Sequence, residues 1–293
     1  MVDLAELARQ VDVVIEVRDA RIPLTSAMPV LDRIAASKLR FVVLSKADLA
    51  SNTGTRMWQE SMRREGLESF AVNCRTGDGV GALRGALARA GAGKRWRAGA
   101  GVGHGMVRAM VAGIPNVGKS SLLNRLAGEK KARVGARPGI TRGRQWVMVG
   151  DRIALLDTPG VIRPDHVDGL ARVYLSAIGA IPDDAVDTVV VAGELLGILK
   201  GTAPEGLIAR YGPDILDLPR DMTLSEIGRR RGCLGPGGRV DLSRAALAVL
   251  MDFREGKLGR VTLETPLDLE SPVHDEPDRK ETAPPGLQDH RRG

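Results

Sequence analysis

Gly113-Ile114-Pro115-Asn116-Val117-Gly118-Lys119-Ser120 sets two glycines, a lysine and a hydroxyl at the spacing Gly-x4-Gly-Lys-Ser/Thr, the pattern of a loop that wraps phosphates. Glycines let successive backbone N–H groups curl around an anion, and the helix that comes next adds partial positive charge at its N-terminus. Asn116, Val117, Gly118 and Ser121 then surround the phosphates, Lys119 neutralises the β/γ oxygens and Ser120 turns its hydroxyl to Mg²⁺. An apolar run at Val107 to Ala112 leads in and a helical run at Lys119 to Leu126 leads out. That context separates the stretch from an incidental glycine turn.

Downstream, Asp157-Thr158-Pro159-Gly160 follows the run Ile153 to Leu156. An acid at a strand end with a glycine three residues on suits a Mg²⁺-linked carboxylate at Asp157 and a γ-phosphate-sensing N–H at Gly160. Between the two motifs, Arg137-Pro138-Gly139-Ile140-Thr141 is a polar loop in which Thr141 offers a second hydroxyl to the metal; an ordinary turn is the other reading. Upstream, Ser45-Lys46-Ala47-Asp48 closes the run Phe41 to Leu44. A carboxylate such as Asp48 can accept from both N1 and N2 of guanine, whereas adenine would leave it unpaired, and unpaired polar contacts discriminate steeply. The stem of Lys46 covers a base face. Asn73-Cys74-Arg75-Thr76, at the end of the next run, can bring backbone N–H groups to the guanine O6. Taken singly, either tetrapeptide is equally a turn or cap.

These loops need strands to carry them. Val11 to Val17, Arg40 to Leu44, Ser69 to Val72 and Val107 to Ala112 are apolar runs rich in branched residues, with weaker ones at Gln145 to Val149 and Arg152 to Leu156. Helical stretches at Pro29 to Ser37, Thr55 to Glu65, Gly81 to Ala90 and Lys119 to Leu126 alternate with them. Such alternation predicts an α/β fold with a parallel sheet covered on both faces. From Asp183 to about Leu258 the periodicity is helical, with an acidic cap expected at Asp241. The expected organisation is a nucleotide-binding domain over 1–182, a small all-helical domain over 183–262 and a disordered tail over 263–293.

Composition narrows the class. The 293 residues are 43% hydrophobic and 27% charged, without an apolar run long enough for a membrane span. No secretory signal pattern opens the chain, and two cysteines, Cys74 and Cys233, cannot build a disulfide framework, so a cytoplasmic protein is expected. Between Gly79 and Gly150 fourteen Lys or Arg face one acid, Glu129, although the whole chain carries only +7. A field so concentrated suits a phosphate-rich partner, with a solvated basic face as the plain alternative. Aromatics are 3% of the chain, which disfavours base stacking as the main recognition mode.

Together these stretches resemble the circularly permuted GTPases of the ribosome-biogenesis type, the ribosome biogenesis GTPase A family, over roughly Leu7 to Pro266. The resemblance is carried by Asp19-Ala20-Arg21-Ile22-Pro23-Leu24, Ser45 to Asp48, Gly113 to Ser121, Arg137 to Thr141, Leu155 to Gly160 and Arg230-Arg231-Gly232-Cys233-Leu234. Their order is the specific feature, since the base reader precedes the phosphate loop. The resemblance implies a P-loop GTPase domain with a permuted parallel sheet, followed by a helical domain that binds rRNA. It further implies GTP and GDP as ligands, Mg²⁺, late assembly of the large ribosomal subunit, and hydrolysis coupled to release from the particle. Asn116 resembles the asparagine with which related GTPases hold K⁺; shaping the loop is its other reading. A monomer is expected. The contrasting possibility is a nucleotide-dependent rRNA-binding scaffold without significant turnover.

Two features depart from the family pattern, and a third, an apolar residue the family shares, departs from GTPases at large. Ser45 stands where an asparagine is usual, which predicts a weaker hold on guanine with the preference kept by Asp48. A Trp-Phe-Pro-Gly-His-Met stretch that carries a candidate catalytic histidine in the family is not found here, and His104 in the linker is the nearest imidazole. Val161 follows Gly160 where many GTPases place a water-orienting glutamine, so unassisted turnover is expected on the order of 10⁻⁴ per second. Basic residues Lys94, Arg95 and Arg97 are the expected RNA contacts, joined by Arg229 to Arg231, for which a solvated helix end is the other reading.

Overall fold

The computed structural model of the chain describes residues 4–92, 106–128, 146–158 and 167–269. Six strands, β1 (Val13–Asp19), β2 (Leu39–Ser45), β3 (Glu68–Val72), β4 (Val107–Ala112), β5 (Trp146–Val149) and β6 (Ile153–Asp157), form one sheet in the order β3-β2-β1-β4-β6-β5. The continuous branched run of β1 is explained by its place. It is parallel to β2 on one side and β4 on the other, and each of its residues is buried. Five strands are parallel, as the alternation predicts, whereas β5 runs antiparallel to β6 at the sheet edge. Only Gly150-Asp151-Arg152 joins that pair, far too short for a crossover, and a hairpin is the remaining solution.

Helices α1 (Leu4–Arg9), α2 (Val30–Ile34), α3 (Asn52–Arg64), α4 (Val80–Ala92) and α5 (Lys119–Ala127) accompany the sheet. Ser51 caps α3 by accepting from the Gly54 amide at 3.1 Å. Beyond the sheet come α6 (Gly169–Ala177), α7 (Thr188–Thr202), α8 (Pro204–Tyr211), α9 (Arg220–Arg230) and α10 (Leu242–Arg254). Asp241 does cap α10, accepting from the Arg244 amide at 3.0 Å. The apolar core runs without a break from Val14 and Met110 in the sheet through Tyr174 and Ile181 to Leu195, Ile227 and Val249 in the helical layer.

Asp19-Ala20-Arg21 forms the joint between these layers. Arg21 and Asp19 are both buried, and the guanidinium makes two 2.9 Å bonds to the carboxylate. Its third arm donates to the Phe253 carbonyl at 3.0 Å, with the Phe253 ring centroid 4.7 Å away. The chain then returns from α10 to the sheet. The Val261 amide donates to the Leu49 carbonyl at 2.9 Å, and the Leu263 amide to the Arg21 carbonyl at 2.8 Å. Leu263 and Glu264, expected to open a disordered tail, are buried instead. The Glu264 carboxylate accepts from the Leu24 amide at 2.7 Å and its carbonyl from the Trp58 indole at 2.9 Å. Proline and charge density in the sequence concealed this anchor, because its partners lie more than two hundred residues away.

Burial pushes the Asp19 carboxyl up, but the charge and hydrogen bonds of Arg21 and the charge of Lys46 outweigh it and hold the group far below the ordinary aspartate value of 3.8. Removing one member of a buried pair strands the other. Arg21→Ala should cost about 3–5 kcal/mol in urea unfolding at neutral pH. In the unaltered chain the contribution of Asp19 is complete above the unfolded value and should fade as pH drops below 3.8. Asp19→Asn should flatten that acid limb.

Candidate functional site

Because β1 lies between β2 and β4, the loops that leave the C-terminal ends of β2 and β4 meet over it. Ser45, opposite Asp19 in the register, is buried. Its hydroxyl lies in hydrogen-bonding contact with the Val117 carbonyl of the phosphate loop and 3.0 Å from the Arg18 carbonyl. One hydroxyl proton serves one of these at a time. Lys46 donates to the Asn116 carbonyl at 2.7 Å and pairs with Asp19 at 3.0 Å. Among the described residues Lys46 and Asn116 are the two non-glycine residues with positive φ, 53° and 60°. Two uncommon backbone conformations that meet through a hydrogen bond fit a loop pair shaped for a ligand.

The phosphate loop has the local geometry that its glycines require. A Cβ on Gly113 would stand 2.6 Å from the Val17 carbonyl oxygen, and Gly118, at φ 101°, lies directly before α5 with Ser45 alongside. Lys119 is buried, with its ammonium donating to the Ile114 carbonyl at 2.8 Å. Burial lowers its pKa, and the Asp157 charge works against that shift. The Asp157 carboxyl moves the opposite way, raised by burial and held back by Lys119 and by the Thr158 amide. Asp157 pairs with Val111 in the register, at the strand end next to the phosphate loop, and Ser120 is exposed at the start of α5. A hydroxyl and a carboxylate on neighbouring elements, without thiol or imidazole, are the hard oxygen donors that suit Mg²⁺ shared with phosphates. Burial that disfavours the Asp157 charge would be reversed by a bound dication. The two remaining expected residues, Thr141 and Gly160, lie outside the described residues.

A cavity of about 630 Å³ opens beside this loop, lined by Ser45, Lys46, Asp48, Asn73, Cys74, Arg75, Gly118 and Ser121. The sequence-derived base readers and the phosphate loop therefore share one pocket. Among the described residues no hydrogen bond or ion pair engages the Asp48 carboxylate. Asn73 uses its side-chain oxygen to accept from the amides of Arg75, at 2.8 Å, and Thr76, at 3.3 Å. Of the backbone donors expected at O6, the Cys74 amide is thus the one left for a base. Burial pushes the Cys74 thiol up and away from ionisation.

Sequence reasoning missed the pocket's far wall. Arg254, Glu255 and Lys257, at the end of α10, line the same cavity. No local signal marks them, since tertiary contacts such as the Arg21–Phe253 joint and the return segment on Leu49 bring the end of α10 here. Arg254 also borders a neighbouring cavity of about 420 Å³ with Asn116 and Gly179, and there the Asn116 amide nitrogen donates to the Gly179 carbonyl. The arginines expected to meet RNA are engaged within the helical layer. Arg229 pairs with Glu226, Arg230 with Glu226 and Asp214, and Arg231 with Asp252. Lys94, Arg95, Arg97 and His104 lie outside the described residues.

A family model described as "50S ribosome-binding GTPase" matches residues 108–196. Ribosome biogenesis GTPase A of Bacillus cereus is 38% identical over 93% of this chain and 92% of its own length. The chain belongs to the ribosome biogenesis GTPase A family. The Thermotoga maritima member is 28% identical over 94% of each chain, and the GDP-bound structure of TM YlqF superposes with a TM-score of 0.67 at 25% identity, covering 90% of this chain and 99% of that one. Members of the ribosome biogenesis GTPase A family are circularly permuted P-loop GTPases, so the chain is a GTPase of ribosome biogenesis that uses guanine nucleotide with Mg²⁺. No helix among the described residues is long and apolar enough to cross a membrane.

The Ser45 contact predicts its own test. Ser45→Ala removes the hydroxyl link between base reader and phosphate loop, and a lost hydrogen bond of this kind is worth about 0.5–1.5 kcal/mol. GDP affinity should fall roughly twofold to tenfold in a calorimetric titration.

Proposed function

We propose that this GTPase acts in late assembly of the large ribosomal subunit, with GTP favouring attachment to the particle and hydrolysis favouring release. The observation that carries the nucleotide half is the unpaired Asp48 carboxylate in the cavity that also holds Ser45, Lys46, Gly118 and Ser121. An acid without a hydrogen-bond or ion-pair partner among the described residues suits the N1 and N2 donors of guanine. Lys119 would draw negative charge from the β/γ bridge while water attacks the γ-phosphate, and Gly160 would donate its amide to the same group. Mg²⁺, which neutralises phosphate charge when bound, would be held by Ser120, Asp157 and Thr141.

The attachment half rests on the family and on charge. Arg229 to Arg231 make ion pairs at the surface of their own domain that are weak enough to open for a phosphate, and together with the basic connector bearing Lys94, Arg95 and Arg97 they are the candidates for rRNA phosphates. The protein should co-sediment with large-subunit precursors in a non-hydrolysable GTP analogue and leave them in GDP. Equal pelleting in both nucleotides, with no particle-stimulated turnover, would favour the scaffold reading instead. We expect it to act as a monomer.

Val161 supplies no water-orienting amide, and K⁺ beside the β/γ bridge would take over part of the charge neutralisation. Donation from the Asn116 nitrogen to Gly179 leaves its amide oxygen as the atom for such an ion. Turnover should be faster in KCl than in NaCl by about tenfold or more, the range of one preorganised electrostatic contact. Equal rates in the two salts would remove Asn116 from this role.

A further inference from the structure

Asp48 can read guanine only if its backbone is held still, since one carboxylate must face two donors at once. The loop that bears it is held on one side by the Ala47 amide on the Val72 carbonyl at 3.2 Å and the Leu49 amide on the Lys46 carbonyl at 2.9 Å, and on the other by the C-terminal return segment. Three successive carbonyls, those of Ala47, Asp48 and Leu49, accept from the segment after α10. Arg260 donates from Nε to Asp48 O at 3.0 Å and from Nη2 to Ala47 O at 3.2 Å. The Val261 amide donates to Leu49 O at 2.9 Å. One residue on, the Thr262 hydroxyl accepts from the Ser51 amide at 3.1 Å.

The fit is close on both sides. A Cβ on Gly256 would stand 2.6 Å from Leu49 Cδ2, and one on Gly54 would stand 2.8 Å from Thr262 Cβ. Leu263 and Glu264 then fasten the far end of the segment at Arg21, Leu24 and Trp58. Arg260 itself is exposed, so its guanidinium is not part of the core. Its two bonds both end on the base-reading loop, and among the described residues no acid pairs with it.

We propose that Arg260 is a positioning residue for guanine recognition, holding the main chain of Asp48 so that both carboxylate oxygens face the base. The proposal rests on the reading of Asp48 as the base reader. Guanine and hypoxanthine differ by the 2-amino group alone, so the ratio of GDP to IDP affinity measures how well the carboxylate engages both donors. Fixing the loop affects the second bond more than the first, because two bonds demand an orientation that one does not.

The experiment titrates the full chain with GDP and with IDP for the wild type, Arg260→Ala, Arg260→Lys and Asp48→Ala. Arg260→Ala should weaken GDP binding by about fivefold to tenfold, the effect of one or two lost hydrogen bonds, and shrink the GDP-to-IDP ratio at least threefold. Arg260→Lys keeps the charge and one donor direction and should fall between, which also serves if the alanine variant folds poorly. A ratio unchanged in both Arg260 variants, whether affinity holds or falls equally for the two nucleotides, overturns the positioning role. If Asp48→Ala leaves the ratio at the wild-type value, the base-reading assignment itself fails; if it collapses the ratio and the Arg260 variants do not, only the role of Arg260 is lost.

Discussion

The carboxylate of Asp19 is a fully buried charge, and a buried charge persists only where opposite charges and hydrogen bonds surround it. It ends β1, the strand between β2 and β4, and it holds Arg21 on one side and Lys46 on the other. Arg21 extends that grip to Phe253 in the helical layer, and Lys46 extends it to Asn116 in the phosphate loop. One acid thus ties together the proposed base-reading loop, the phosphate loop and the C-terminal helices. Such a pair contributes little net energy compared with apolar packing, but it fixes geometry because neither partner has another place to go.

Permutation of the chain makes sense in these terms. A parallel sheet presents its loops at the C-terminal strand ends irrespective of the order in which the strands are made. Placing β4 fourth in sequence but beside β1 in space keeps the phosphate loop next to Ser45. The permuted order alters the path of the chain once the sheet is complete. From the last strand it runs toward the helical layer, and α10 and its return segment come back to the base-reading loop. The candidate nucleotide pocket and the helical layer therefore share walls, with Arg254 lining the cavity of about 630 Å³ and also bonding the Ser176 and Ala177 carbonyls at 2.7 and 3.0 Å.

Much of the fold is legible in the residues themselves. The apolar runs that form β1, β2 and β4 are largely buried on both faces, which leaves a continuous signature, and each of β1 to β4 falls within about two residues of its expected span. Two short helices, α1 and α6, carry too little periodicity to be read. The direction of β5 is not given by its own four residues but by the Gly150-Asp151-Arg152 link to β6, which is too short for a crossover. Ser45 reads as a loss of reach, yet its hydroxyl still touches the phosphate loop, since β2 delivers it directly against Val117 and Gly118.

The residues of the phosphate loop and the base reader, and the order in which they come, are set by sequence alone, because each motif is local: its chemistry depends on a few neighbours along the chain. The Arg21–Phe253 joint, the far wall at Arg254 to Lys257, the pairing of Arg230 with Asp214 and of Arg231 with Asp252, and the grip of Arg260 on the Asp48 loop were decided by tertiary structure. Their partners are mostly tens to hundreds of residues distant, and no local pattern encodes which charge will be spent on a neighbour and which will face a ligand.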